Sequence, residues 1–414
     1  MNVYNRWFQL VSCVIAMVMV ANFQYAWTLF VTPMREANGW SLSAVQWAFT
    51  LFILFQTWAT PAAGWLIDRL GPRLFFTLAG VMAGAGWTGL GYATSLPQLY
   101  VLYSLAGIGA AIVYGGSIGS ALKWFRDRRG MAAGIMAAAF GGGAALTIPI
   151  IARILSSSGY REAFIWTGII QGLIVVIVAQ FMRHPKEEAV AAAAVSAAKP
   201  ADRMGRHDFT TSEMLRVPTF YLMYFMFVLM ATVGLVLTGQ AGPVARSWGI
   251  SLAALTWTTT LGPIAGSVTR IVFGSLSDRI GREPAMALGF LLCAANLVLA
   301  LTLGPTSDLW FTVTFVGIFF TWGEMYSLFP AALADRFGTR YATGNYAVLY
   351  TGKGVGSILG GGFAAMTFER TGSWTLAFVT CAVMALVAGL LAFGLRAWTA
   401  APKTVAVPSP AHAK

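Results

Sequence analysis

The sequence predicts an all-α integral membrane protein, with twelve transmembrane helices in two pseudo-symmetric six-helix bundles. Three observations predict it. The 414 residues are 57% apolar and only 10% charged, where a soluble domain carries roughly 25% charge. Apolar runs of about 18 or more residues, the length that crosses a bilayer core, recur along the whole chain. A charged turn motif occurs twice, at equivalent places in the two halves.

The runs fall near residues 8–31, 44–67, 74–93, 98–122, 131–154, 161–182, 218–241, 252–276, 284–304, 308–332, 343–367 and 373–396. With no water to satisfy the backbone, such spans must be helices. The first run is too long for a cleaved signal and lacks a small-residue cleavage site, so it reads as the first span. Between 183 and 217 the chain turns polar, with an Ala-rich centre flanked by charge. This stretch reads as a cytoplasmic linker between an N-terminal bundle, 1–182, and a C-terminal bundle, 218–397; residues 398–414 form a cytoplasmic tail. Thr211 and Glu213 suit a capping turn that opens a short helix in the linker.

The formal net charge is +12, but its placement points to a bilayer and not to nucleic acid. Twenty of the 27 Lys and Arg fall in one set of loops; five, namely Arg35, Arg153, Arg161, Arg246 and Arg370, fall in the other. The positive-inside rule then puts both termini in the cytoplasm of a cell whose inner (plasma) membrane holds the chain. Cys13, Cys293 and Cys381 lie in apolar spans, far apart and odd in number, so they read as packing residues with no disulfide or metal role. Gly80 with Gly84, and Gly352 with Gly356 and Gly360, form small-residue rows that let helices approach closely. The segment TGKGVGS lacks a phosphate-loop pattern: Ala347 stands where the first Gly is needed, and Gly354 follows the Lys. No cofactor is indicated. Nothing signals an oligomer, so a monomer is expected.

The repeated motif is Gly64, Asp68, Arg69, Gly71 and Arg73 after the second span, and Gly274, Asp278, Arg279, Gly281 and Arg282 after the eighth. Glycines permit a tight turn, and the Asp can meet a helix N-terminus or an Arg and latch the cytoplasmic side. The motif and its duplication resemble the major facilitator superfamily over the entire chain. That resemblance implies the major facilitator fold, with substrate bound near the midplane between two rocking bundles.

Two cations, Arg270 and Lys353, sit deep in apolar spans with no acid within four residues. A charge at the centre of a membrane helix costs roughly 2.5–3.5 kcal/mol even on the lenient insertion scale, so two such charges point to an anion site. Tyr346 and Tyr350 share the face of Lys353, and Trp322 and Tyr326 lie one turn apart. Gln24, Tyr25, Gln46 and Tyr114 offer further amide and phenol groups to a carboxylate. Glu324 is the remaining ionisable residue within a span. It lies about 200° around a helix from Trp322 and Tyr326, so it points away if they face the cavity. His184, His207 and His412 lie outside the spans, which excludes a histidine proton relay. The spans hold no nucleophile with a base partner, which argues against an enzyme.

The segments QYAWTLF, SLSAVQ, IVYG, FFTWGEMYSLFP and NYAVLYTGK, with the context of Arg270, resemble the oxalate:formate antiporter family. The resemblance implies that Arg270 and Lys353 hold the two carboxylates of oxalate. It also implies a cage of Gln24, Tyr25, Gln46, Tyr114, Trp322 and Tyr326. In two places the chain departs from that pattern: Tyr350 stands where the exchanger has Trp, and Glu324 where it has Gly. The function expected is alternating-access exchange of small carboxylates, oxalate against formate or a similar small anion. The alternative is a proton-coupled carrier of lactate, pyruvate or formate that uses Glu324 as the coupling carboxylate.

Overall fold

The computed structural model describes residues 4–62, 71–125, 129–185, 208–338 and 341–400. Its elements, in chain order, are α1 (Arg6–Tyr25), α2 (Trp27–Asn38), α3 (Leu42–Trp58), α4 (Pro72–Leu90), α5 (Leu96–Trp124), α6 (Arg129–Ser158) and α7 (Tyr160–Ala179). After the short α8 (Thr211–Met214) come α9 (Pro218–Ser247), α10 (Leu252–Ile280), α11 (Arg282–Leu303), α12 (Asp308–Trp322), α13 (Met325–Phe337), α14 (Ala342–Ile358), α15 (Ala364–Thr371) and α16 (Thr375–Ala400). Among the described residues eight helices are by themselves long and apolar enough to cross a bilayer. Four further rods accompany them: α4, α10, α12 with α13, and α14 with α15.

Three rods are interrupted, which apolar periodicity alone did not show. The first breaks at Ala26, between α1 and α2. Pro33 lacks the N–H that would reach the Leu29 carbonyl, which loosens the turn after that break. The tenth breaks at Gly323–Glu324. The eleventh passes through a π-helical turn at Leu359–Phe363, between α14 and α15. There Gln240 Nε2 donates to the carbonyl of Gly361 at 2.8 Å, and the Gly362 N–H donates to Thr50 Oγ1 at 3.1 Å. Side chains thus take over polar groups that a regular helix would satisfy itself.

The same pairings recur in both halves. In the N-terminal half α1 packs on α6, α3 on α5, and α4 on α7. In the C-terminal half α9 packs on α14, α10 on α12, and α11 on α16. The small-residue rows act as expected. A β-carbon on Gly84 would meet the Gly172 Cα of α7 at 2.8 Å, and one on Gly356 would meet the Thr232 N–H of α9 at 2.9 Å. Large apolar side chains such as Val101, Leu146 and Ile271 stand exposed on the outside, where lipid tails replace water.

The duplicated turns share one geometry: Gly71 and Gly281 both have positive φ, at 82° and 98°, and both precede a helix. Gly64, Asp68 and Arg69 lie outside the described residues. Arg73 donates from Nε to Gln180 Oε1 of its own half. In the second copy Arg282 pairs with Asp278 at 2.7 Å and Asp335 at 3.1 Å, while Arg279 is exposed. The short linker helix is capped by Thr210, not Thr211: Thr210 and Glu213 form the reciprocal box, and Thr211 opens the helix. The three cysteines are buried and free.

Candidate functional site

The halves meet along α6 with α10, α3 with α14, and α2 with α9. Here the near side means the one where α1 begins, and the far side the opposite one. Toward the far side the seam is dense. Gln46 donates to the Gly239 carbonyl at 2.6 Å and accepts from Trp27. Thr50 and Ser357 exchange hydroxyl-to-carbonyl bonds at 3.0 and 3.2 Å. Thr28 accepts from the Gly242 N–H, and Glu36 pairs with Arg246 at 2.7 Å. Glycines make this closure possible: a β-carbon on Gly361 would meet Thr50 Oγ1 at 2.2 Å. The far side is therefore sealed in this conformation.

Deeper along the same seam lie the two cations. Lys353, on α14, is 1% exposed. Its ammonium donates to Gln24 Oε1 at 2.8 Å and Gln56 Oε1 at 3.1 Å, both in the N-terminal half, and to the Tyr350 hydroxyl at 3.3 Å. Arg270, on α10, is half-buried and turned inward, while its neighbour Ile271 faces outward. Its Nη1 donates to the Ala137 carbonyl of α6 at 2.8 Å, and its guanidinium lies 5.1 Å from the Tyr326 ring centre. Each cation thus belongs to the C-terminal half and is held by acceptors of the other half.

Tyrosines connect the two cations. The Tyr326 ring, under Arg270, lies 6.4 Å from the Tyr350 ring beside Lys353. Tyr350 stacks on Tyr114 of the opposite half at 5.6 Å, and Tyr346 lies 5.8 Å from Tyr350. Tyr25 and Tyr114 both border Phe140. Three buried polar atoms here lack any partner: Arg270 Nε, Gln56 Nε2 and the Tyr326 hydroxyl. Two are N–H donors and the third can donate, so the set is one that an anion completes.

The sequence-predicted residues therefore separate by place. Gln24, Tyr25, Tyr114, Tyr326, Tyr350, Arg270 and Lys353 come together. Trp322 sits behind them. Its indole N–H donates to the Met230 carbonyl at 2.8 Å, its ring fills the space over Gly234, and its edge braces Tyr326 at 5.3 Å. Gln46 belongs to the far-side seal. Glu324 turns toward Gly289 of α11. Sequence reasoning missed Gln56 and Phe140. Gln56 carried a readable signal, a second amide within the span that starts at Gln46. Phe140 carried none among so many aromatics.

These features define a class: a membrane carrier of two helical bundles, sealed on one side, with two cations in the seam between them. Two matches with a family model described as Major Facilitator Superfamily cover residues 12–241 and 234–413. The chain belongs to that superfamily. It is 37% identical to the oxalate:formate antiporter of Oxalobacter formigenes over 94% of this chain and 91% of that protein. It is 25% identical to a probable sulfoacetate transporter of Cupriavidus necator over 83% of each chain. Similarity to the human monocarboxylate transporter 11 is local, 31% over 30% of this chain and 26% of that protein.

Proposed function

We propose that this carrier exchanges small carboxylates by alternating access, with oxalate taken against formate or a similar small anion. The observation that supports it best is the pair of cations with three unpartnered polar atoms beside them. The Arg270 fork suits one carboxylate through parallel N–H bonds, and Lys353 suits the other as a point charge. A dianion that bridges the cations cancels their repulsion and substitutes for the acceptors that each now borrows from the N-terminal half. Reorientation of the empty carrier would leave both charges without those acceptors, so exchange is favoured over uniport. The extensive match to an oxalate:formate antiporter supports the same substrate class.

The loop charges put the near side, the linker and both termini in the cytoplasm, so the sealed far side is the outer one. A monomer in the inner membrane suffices, since one chain holds both halves of the site. The recurrence of helix pairings in the two halves supports two bundles, proposed at 1–182 and 218–397.

The decisive experiment is uptake of labelled oxalate into proteoliposomes preloaded with oxalate, formate, malonate, lactate or pyruvate. Preloaded oxalate and formate should accelerate uptake without a pH gradient. Arg270→Lys should lower exchange by about a hundredfold, the scale expected when a buried hydrogen-bonded charge contact is lost. Full uptake by that variant overturns the assignment. The second reading, proton-linked monocarboxylate transport, is favoured by Glu324 and by the local likeness to a monocarboxylate transporter. It requires uptake driven by a pH gradient alone.

A further inference from the structure

Glu324 takes no part in the contacts around the two cations. It sits at the joint between α12 and α13, fully buried, and neither carboxyl oxygen has a hydrogen-bond partner. From α11 it faces Gly289, where a β-carbon would meet its carboxyl group, and buried Cys293 lies one turn beyond Gly289 on the same helix. Cys381 is buried on α16, which packs on α11. From α10, Gly266 and Thr269 pack on Gly323, while Arg270 points the other way, at Ala137 and Tyr326. α11 thus offers the thiol of Cys293 near this carboxyl, and among the described residues no cation bonds to Glu324.

An ionised carboxylate without a donor in such a place carries a prohibitive desolvation cost, whereas the neutral acid does not. Gly289 leaves a cradle that any side chain would fill. The joint is also tied to the cation site. Gly323 touches the backbone of Gly266, and a β-carbon at 323 would meet the Gly266 carbonyl oxygen at 2.6 Å. Arg270 lies one turn beyond Gly266 on α10. Tyr326, in the first turn of α13, holds its ring against that guanidinium. A shift of Glu324 away from α11 therefore moves Tyr326.

We propose that Glu324 is a proton-binding site. It carries a proton in this far-side-sealed conformation and releases it when the joint swings off α11. The step is an O–H ionisation: the proton passes to water admitted at the opened joint, and the electron pair stays on the carboxylate. Proton occupancy then sets how Tyr326 is presented to Arg270, and so adjusts the grip on the transported anion. This inference rests on the carrier reading but not on which anion is carried.

Infrared spectra of the purified protein in lipid nanodiscs test occupancy without any substrate. Wild type should show a protonated-carboxylic C=O band that Glu324→Gln lacks. In the same proteoliposome counterflow assay, wild-type exchange should fall about tenfold further than Glu324→Gln exchange between roughly pH 6 and pH 9, because any titration of the seam itself is common to both. Should Glu324→Gln fold poorly, Gly289→Ala supplies a second readout. It should lower Tm in wild type and be rescued in a Glu324→Ala background. No difference in the carboxylic band, identical pH profiles, or equal destabilisation of both backgrounds by Gly289→Ala overturns the proton site. Absent oxalate counterflow with the band intact instead removes the oxalate reading and leaves the proton site standing.

Discussion

Arg270 and Lys353 bring the same charge to the same seam, yet their surroundings differ. Lys353 is buried and has its three donors matched to Gln24, Gln56 and Tyr350. Arg270 is half-buried, spends one N–H on the Ala137 carbonyl, rests on the Tyr326 ring and leaves Nε bare. One cation is satisfied by the protein and the other is kept waiting. In the proposed exchange cycle an incoming anion meets Arg270 first, with no bond to Nε to break, and must displace amide oxygens to reach Lys353. In that cycle the second step separates Lys353 from the N-terminal half, which would couple occupancy to the relative position of the halves.

Three substitutions sharpen that contrast. The largest effect belongs to Lys353→Gln, which removes the charge but keeps a polar group among the same amides. Dianion exchange should fall about a hundredfold while thermal stability holds, because the buried cation is expensive to keep. Unchanged exchange would reduce Lys353 to a structural tether and end the comparison. Next is Gln56→Glu, which sets a carboxylate beside the ammonium. Oxalate affinity, measured by competition with labelled substrate, should weaken about tenfold, while competition by formate changes less than about twofold. Equal loss for both anions would mean that Lys353 does not discriminate by charge. The smallest effect belongs to Glu36→Gln on the far-side seal. Both partners of the Glu36–Arg246 pair are largely exposed, and such pairs contribute about 0.2–1 kcal/mol. Exchange rates should shift less than about threefold, with a smaller shift at high salt.

The cage shows where sequence reasoning reaches and where it stops. Tyr346 and Tyr350 were placed with Lys353 by their spacing of three and seven residues, and the helix carries them there. The same spacing rule joined Trp322 to Tyr326, and their rings do meet. It could not reveal that the indole N–H belongs to Met230, on a helix about ninety residues earlier in the chain. Gln46 looked like a ligand for the same reason that Gln24 did, an amide in an apolar span. Depth along the seam separates them: Gln24 reaches the ammonium, and Gln46 closes the far side. Helical geometry had Glu324 pointing away if Trp322 and Tyr326 both faced the cavity; Trp322 sits behind it, the helix breaks at Glu324, and the carboxyl is buried against α11.

The sequence by itself determined the membrane class, the recurrence of one turn motif in both halves and the two cations that need a counter-charge. Those follow from solvation: long apolar runs have no stable place in water, and charges inside them have none in lipid. Only the tertiary structure decided which amides cradle Lys353, why Arg270 stays partly unpaired and which side of the seam is shut. These depend on contacts between residues about 130 to 330 positions apart, such as Ala137 with Arg270 and Gln24 with Lys353. Local periodicity carries no record of such distances; helix packing alone brings the partners together.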